Sequence, residues 1–209
     1  MKELIIVGAG GMGRTMFDLA RESIGYIESF TIKGFIDDNR EALNNFTNYP
    51  PLVGTIKEYV PRLNDVFVCS IGGPSRKGCM EAIIGRGGEF ISLIHKTARI
   101  GSNVRMGKGN MVGAFTTIAA DARIGDYNFI QSLTIIGHDV TIGDWNRIDS
   151  MVMLIGGISI GNHNMIHTQA VLNHNVHVGD DAKISACSFV ISNVESGTTV
   201  FGNPARRLK

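Results

Sequence analysis

From Ile94 to Val190 every sixth residue is aliphatic or Met, running through Ile100, Met106, Val112, Ile118 and onward without a break for seventeen positions. A second track, offset by four, holds mostly small residues such as Ala98, Asn110, Asn128, Asn146, Ala170 and Ala182, with Ile158 the bulky exception. Gly107, Gly125, Gly143, Gly161 and Gly179 add a longer period of eighteen, or three hexads. A helix with 3.6 residues per turn would scatter a six-residue period around its circumference. Short strands joined at corners keep it on one side. Three hexads then close one triangular coil whose aliphatic residues stack on those of the next. Burying one Ile or Val contributes about 1.5 to 3 kcal/mol, whereas ordering backbone costs about 1 to 2 kcal/mol per residue. A single coil therefore needs its neighbours, and the pattern predicts a stacked parallel solenoid.

The first ninety residues follow a different rhythm. Leu4 to Val7 is a continuous apolar run, as in a buried parallel strand, and Gly8-Ala9-Gly10-Gly11-Met12-Gly13 follows it at once. Arg14 to Ser23 reads as a helix, Phe30 to Ile36 as a strand ending at Asp37 and Asp38, and Thr55 to Leu63 as a short helix. Val66 to Ile71 is a third strand closed by Gly72 and Gly73, Pro74 to Ile84 a helix, and Glu89 to Ile94 a last strand that feeds the repeats. The alternation predicts a small doubly wound α/β unit of three to four strands. The expected division is 1–91 for this Rossmann-like domain and 92–209 for the all-β coil and its tail.

With 44% of residues hydrophobic, seventeen matches in one frame arise by chance on the order of once in a million. The formal charge of +1 and the lack of a basic run argue against a nucleic-acid partner. No apolar stretch approaches the length of a membrane span, and Met1-Lys2-Glu3 leads straight into a strand, so a cytoplasmic protein is expected. Cys69, Cys79 and Cys187 have no metal-like or redox-motif spacing and read as reduced thiols, Cys187 as a packing residue.

The glycine loop fits G-x-G-x-x-G between a strand and a helix, where backbone N–H groups face an anion. A bound NAD, with Asp37 or Asp38 on a ribose hydroxyl, is disfavoured because the second half of a dinucleotide fold is missing. Half a fold suits half a ligand, such as a nucleotide-linked sugar. Gly8, Gly10, Gly11, Met12, Gly13, Asp37, Asp38 and Gly72 are its candidate contacts, with Arg76 and Lys77 at the same sheet edge for a diphosphate. A tight turn that packs helix on strand, with a solvated first helical turn at residues 75–77, explains the same residues without a ligand.

Five of the six histidines lie in the repeats, and His138 and His174 are two whole coils apart on one line with Gly156 between them. Each follows an inward aliphatic by two residues, where the chain turns a corner and the side chain points outward. An imidazole beside a glycine-floored gap suits proton transfer.

Ile136-Gly137-His138-Asp139, followed by Val140-Thr141-Ile142-Gly143-Asp144, resembles the histidine–acid segment of the hexapeptide-repeat acyltransferases, in particular the sialic acid O-acetyltransferase and UDP-4-amino-sugar N-acetyltransferase family. Phe201 to Arg207 is similar to the Gly-x-Pro-Ala-basic ending of those enzymes, and the glycine loop with Phe35-Ile36-Asp37-Asp38 matches their N-terminal domain. The resemblance implies a Rossmann-like domain followed by a left-handed parallel β-helix and a homotrimer. It gives His138 as general base and Asp139 as the acid that contacts it. It also implies acetyl-CoA lying between subunits along the coil, near Gly156, His174, Ala186, Gly202, Pro204 and Arg206, with the acceptor in a cleft between Gly10 and a neighbouring His138. Backbone N–H groups near Gly156 are candidates for holding the oxyanion. Direct transfer is expected, since no cysteine shares the His138 line. Outward aromatics such as Tyr127, Phe129 and Trp145 are expected to pack between subunits.

Two departures leave the acceptor's identity open: Arg147 stands where amino-sugar relatives often have histidine, nine residues after the base, and Met12 replaces a loop histidine. Arg147 is nevertheless counted among the substrate contacts. No metal is expected. A γ-carbonic-anhydrase-like zinc site would also use two histidines two coils apart, but Gly179 occupies the place of its third ligand. A non-catalytic β-helix that binds a nucleotide sugar is the remaining alternative. His163, His167 and His177 read as corner or subunit-contact residues, and His95 as a marker of the junction.

Overall fold

The computed structural model describes every residue except Pro74 and Lys209, so the expected start of the second helix at Pro74 lies outside the described residues. The chain forms two compact units, 1–93 and 94–209. Among the described residues no helix is long and apolar enough to cross a membrane.

The first unit is a five-stranded parallel sheet. In chain order it comprises β1 (Lys2–Val7), α1 (Gly11–Arg21), β2 (Phe30–Ile36), β3 (Leu52–Gly54), β4 (Asp65–Cys69), α2 (Ser75–Gly85) and β5 (Glu89–Phe90). The strand order is β3-β2-β1-β4-β5, so the sheet reverses its winding direction between β1 and β4. Leu4, Ile5, Ile6 and Val7 are wholly buried, as a central parallel strand requires. Short β3 and β5 bring the strands to five rather than three to four. The last predicted strand is broken, because Ile91 and Ser92 separate β5 from the first strand of the coil.

The helix expected over Thr55 to Leu63 does not form. Thr55 does cap a turn, its Oγ1 accepting the Glu58 N–H at 3.2 Å, and the Tyr59 N–H reaches the Thr55 carbonyl at 3.0 Å. Pro61 then supplies no N–H to continue the ladder, and one turn is all that is made. Helix α1 begins three residues earlier than expected, inside the glycine loop. A β-carbon on Gly13 would run into the Gly8 carbonyl, so glycine there lets the first turn sit directly on the end of β1.

The second unit is a triangular solenoid of two-residue strands arranged in three parallel sheets, closed by an antiparallel hairpin of Thr199–Gly202 with Ala205–Arg207. Ladder partners are eighteen residues apart, as in Ile118↔Ile136, Ile136↔Leu154 and Leu154↔Leu172. From Val112 onward the hexad positions are buried. Ile100 is 40% exposed in the first coil, where stacking has only begun.

The offset track is more than small filler. The Oδ1 atoms of Asn110, Asn128, Asn146 and Asn164 accept the backbone N–H one coil on, at 2.7 to 2.9 Å. The Nδ2 groups of Asn110, Asn128 and Asn146 donate to the carbonyls of Gly125, Gly143 and Gly161. This buried ladder satisfies corner groups that the strands leave unpaired. The period-eighteen glycines have a steric cause: a β-carbon on Gly125 would strike Asp144 Oδ1, which caps the Asp126 N–H at 2.7 Å.

Candidate active site

At one corner of the solenoid the chain turns outward through His138 and Asp139, the latter in the left-handed region at φ 58°. Ile136 is buried, and His138 and Asp139 are each 65% exposed in their side chains. The imidazole thus stands on the surface, held by a fully packed hexad residue. Its Nδ1 lies 2.7 Å from Asp139 Oδ2. A carboxylate there favours the tautomer with the proton on Nδ1 and leaves Nε2 as the acceptor.

The ring lies over Gly156 of the next coil. A β-carbon on Gly156 would come 2.5 Å from Nε2 and 2.6 Å from Cε1. The His138 carbonyl accepts the Gly157 N–H at 3.0 Å, which ties the two coils together at this corner. At the next corner the N–H groups of Lys108, Asp126, Asp144 and Asn162 are capped by a side-chain oxygen of the following coil. Among the described residues the Gly156 N–H has no such acceptor, which leaves a donor close to Nε2.

His174 lies on the same line and is exposed, one coil beyond Gly156. Ala186 is exposed on a different edge of the prism, shared with Ser150 and Thr168, so one chain does not gather it with His138. Gly202, Pro204 and Arg206 lie in the terminal hairpin, where Gly202 donates its N–H to Ser188 Oγ at 3.2 Å and Arg206 is exposed.

Among the described residues of one chain, no group of three His, Cys, Asp or Glu side chains could hold a metal ion, so the zinc alternative finds no donor set there. His177 faces outward with Nδ1 2.8 Å from Ser159 Oγ, and buried His95 accepts the Thr97 N–H at 3.1 Å. His163 stacks on Trp145 at 6.4 Å, and Trp145 on Tyr127 at 4.5 Å. These outward aromatics thus pack on each other along one edge. Cys187 is not packed inside: it is exposed at a corner, Sγ donating to Gln169 Oε1 at 3.4 Å.

In the first unit the glycine loop occupies the carboxyl end of β1, beside the point where the sheet reverses. Gly8 takes φ +94° against Ser70, and Gly10 caps α1 with no side-chain hydrogen bond. Gly10, Gly11 and Met12 are exposed. Asp37 Oδ2 accepts the Ala9 N–H at 2.7 Å and Oδ1 the Asn39 N–H at 2.8 Å, so this carboxylate braces the loop. Asp38 accepts the Lys57 N–H at 3.2 Å. Gly72 is exposed after β4, Arg76 is half-buried in the first turn of α2, and Lys77 reaches Glu81 at 4.0 Å.

A group missing from the sequence reading surrounds Arg147. Its Nε donates to Asp149 Oδ1 at 2.7 Å, and His167 Nδ1 lies 3.0 Å from Asp149 Oδ2. Gln131 adds a third bond to Oδ1 at 2.9 Å. Residues 131, 149 and 167 are one coil apart in turn, so the eighteen-residue period applied to outward positions would have found the group.

Comparison with known proteins agrees with both units. Residues 3–81 match the PglD N-terminal domain, and residues 157–192 match the bacterial transferase hexapeptide of six repeats. The acetyltransferase domain of PglB from Neisseria gonorrhoeae FA1090 superposes with a TM-score of 0.89 at 24% identity, over 100% of both chains. That domain has also been solved in complex with acetyl coenzyme A. WeeI from Acinetobacter baumannii AYE gives 0.86 at 25% identity over 100% of both chains. PerB from Caulobacter crescentus, in complex with CoA and GDP-perosamine, gives 0.86 at 22% over 100% of this chain and 98% of its own. The uncharacterized protein L142 of Acanthamoeba polyphaga mimivirus is 28% identical over 115 residues, 55% of this chain, and the match spans only 22% of that relative's length. The resemblance read from the sequence therefore holds in both halves: the chain has the architecture of the hexapeptide-repeat acetyltransferases, a PglD-type N-terminal domain joined to a left-handed parallel β-helix.

Proposed function

We propose that the protein is an acetyl-CoA-dependent acetyltransferase that acylates an amino sugar, nucleotide-linked or as a sialic acid, by direct transfer with His138 as general base. The observation that carries the reading is the His138–Asp139 contact of 2.7 Å with the ring held over Gly156. An amine or hydroxyl attacking a thioester carbonyl must lose a proton as the new C–N or C–O bond forms, and Nε2 is the acceptor left open for it. Asp139 fixes the ring and favours the imidazolium that results. The uncapped Gly156 N–H is suited to the oxyanion of the tetrahedral intermediate. As the C–S bond breaks, the imidazolium returns its proton to the departing thiolate.

The acceptor class is supported by the glycine loop at the carboxyl edge of the sheet and by the nucleotide sugar and CoA bound in PerB. The same reading has a cytoplasmic homotrimer with acetyl-CoA between protomers, Ala186 and the terminal hairpin serving its distal end. Free thiol released from acetyl-CoA, measured over a panel of UDP- and GDP-linked amino sugars and free sialic acid, tests it. Thiol release with at least one of them is expected. No turnover with any acceptor, together with a specific affinity for the sugar nucleotide, would instead support a non-catalytic binding protein.

A further inference from the structure

We propose that Arg147 and His167, held from beneath by Asp149 and joined by Lys183, form a phosphate-binding site on one face of the solenoid. Asp149 is 6% exposed, and its carboxylate is filled by Arg147 Nε, Gln131 Nε2 and His167 Nδ1. A purely structural arginine–carboxylate pair commonly sets two guanidinium nitrogens against both oxygens. Here the second oxygen is taken by His167, so Arg147 engages through Nε alone. Its terminal nitrogens and His167 Nε2 make no hydrogen bond among the described residues. The side chains of Arg147 and His167 remain 37% and 40% exposed, so the Arg147 terminal nitrogens are donors open to an anion. With Nδ1 donating to Asp149, His167 Nε2 joins them as a donor when the ring is the imidazolium.

The charge on this face favours an anion. The ladder runs Arg147↔Met165↔Lys183, so Lys183, exposed and in no ion pair among the described residues, stands two rungs beyond Arg147. At about 4.8 Å per rung, the three basic groups span about 10 Å, the reach of a diphosphate or a ribose phosphate. Asp149 is the one carboxylate in the cluster, and it is buried under the donors rather than facing a ligand. Gln131 is fixed in turn by the Ser150 hydroxyl at 3.0 Å, so the platform spans successive coils of a rigid stack. The site does not depend on the proposed transfer reaction, and equilibrium binding tests it without turnover.

Isothermal titration of the whole protein with CoA, 3′-dephospho-CoA and UDP, repeated on Arg147→Gln, His167→Gln and Lys183→Gln, decides the matter. At least one ligand is expected to bind tenfold or more weakly to Arg147→Gln, and several-fold more weakly to each of the others. Loss for CoA but not dephospho-CoA assigns the 3′-phosphate, loss for both assigns the CoA diphosphate, and loss for UDP alone assigns the nucleotide of the acceptor. Should Arg147→Gln fail to fold, His167→Gln and Lys183→Gln carry the test. Unchanged affinity for all three ligands in the folded variants overturns the site.

Discussion

The imidazole of His138 and the α-carbon of Gly156 occupy adjoining rungs of one corner, so close that a β-carbon on Gly156 would lie 2.5 Å from Nε2. Glycine is required because the ring fills the space any side chain would need. Gly156→Ala should displace the ring by about 1 Å and cost about 100-fold in kcat, since misplacement on that scale carries that penalty. The unfolding midpoint should stay close to wild type, because the hexad residues on either side remain buried. Steady-state kinetics beside thermal denaturation checks both.

In the proposed mechanism Asp139 acts only through the imidazole. Asp139→Asn keeps the shape but removes the charge that favours the imidazolium. The pair is exposed and screened by solvent, so the loss should be modest, about tenfold in kcat with KM for acetyl-CoA unchanged. An unchanged CoA affinity and unfolding midpoint in Asp139→Asn would separate this from a general loss of structure.

In the first unit, Asp65 is fully buried between the Lys33 ammonium at 2.7 Å, the Tyr59 hydroxyl at 2.7 Å and the Arg62 N–H at 2.8 Å. Burial alone would raise its carboxyl. The hydrogen bonds from Lys33, Tyr59 and Arg62 together hold it below the usual carboxylate range. Removing one partner of such a buried pair costs about 3 to 5 kcal/mol, so Asp65→Ala should lose about that much in urea denaturation. A depressed folded value means the stabilisation is full above the unfolded carboxylate range near pH 4 and fades as pH falls through the folded value. Wild type should therefore weaken below about pH 4 through this group, whereas Asp65→Asn lacks that component of the acid limb. At the alkaline end, burial and the Asp65 contact push Tyr59 up to about 12, so its ionisation should lag behind that of exposed tyrosines.

Thiol reactivity should divide the cysteines by depth. Burial pushes Cys69 up to about 11, and burial also raises half-buried Cys79, whereas Cys187 is exposed. At pH 8 a disulfide reagent should label Cys187 first and Cys79 slowly, with Cys69 reacting only on unfolding. Rapid labelling of Cys69 in the folded protein would contradict its burial.

The hexad frame was legible because packing against the coils above and below leaves its residues no other place, and one strand-to-corner period fixes every inward position. The outward position of His138 followed from the same phase. Helix limits were less legible. Residues 55–63 carry a helix start at Thr55 and Glu58, but Pro61 stops the ladder after one turn, and β3 follows two prolines that hide an edge strand. The position of Asp37 after β2 suggests a ligand contact, yet its carboxylate is spent on the Ala9 and Asn39 N–H groups, a contact that depends on how β1 and β2 align. The pairing of His167 with Asp149 was not legible because the two are eighteen residues apart and meet only when coils stack.

The central claim is that Nε2 of His138 takes the proton during acyl transfer. The most direct test is thiol release from acetyl-CoA by wild type and His138→Ala, using the acceptor the panel identifies, with CoA affinity measured in parallel. A fall in kcat of about 10² to 10⁴ with CoA affinity unchanged is the predicted result. Wild-type turnover in His138→Ala would contradict it.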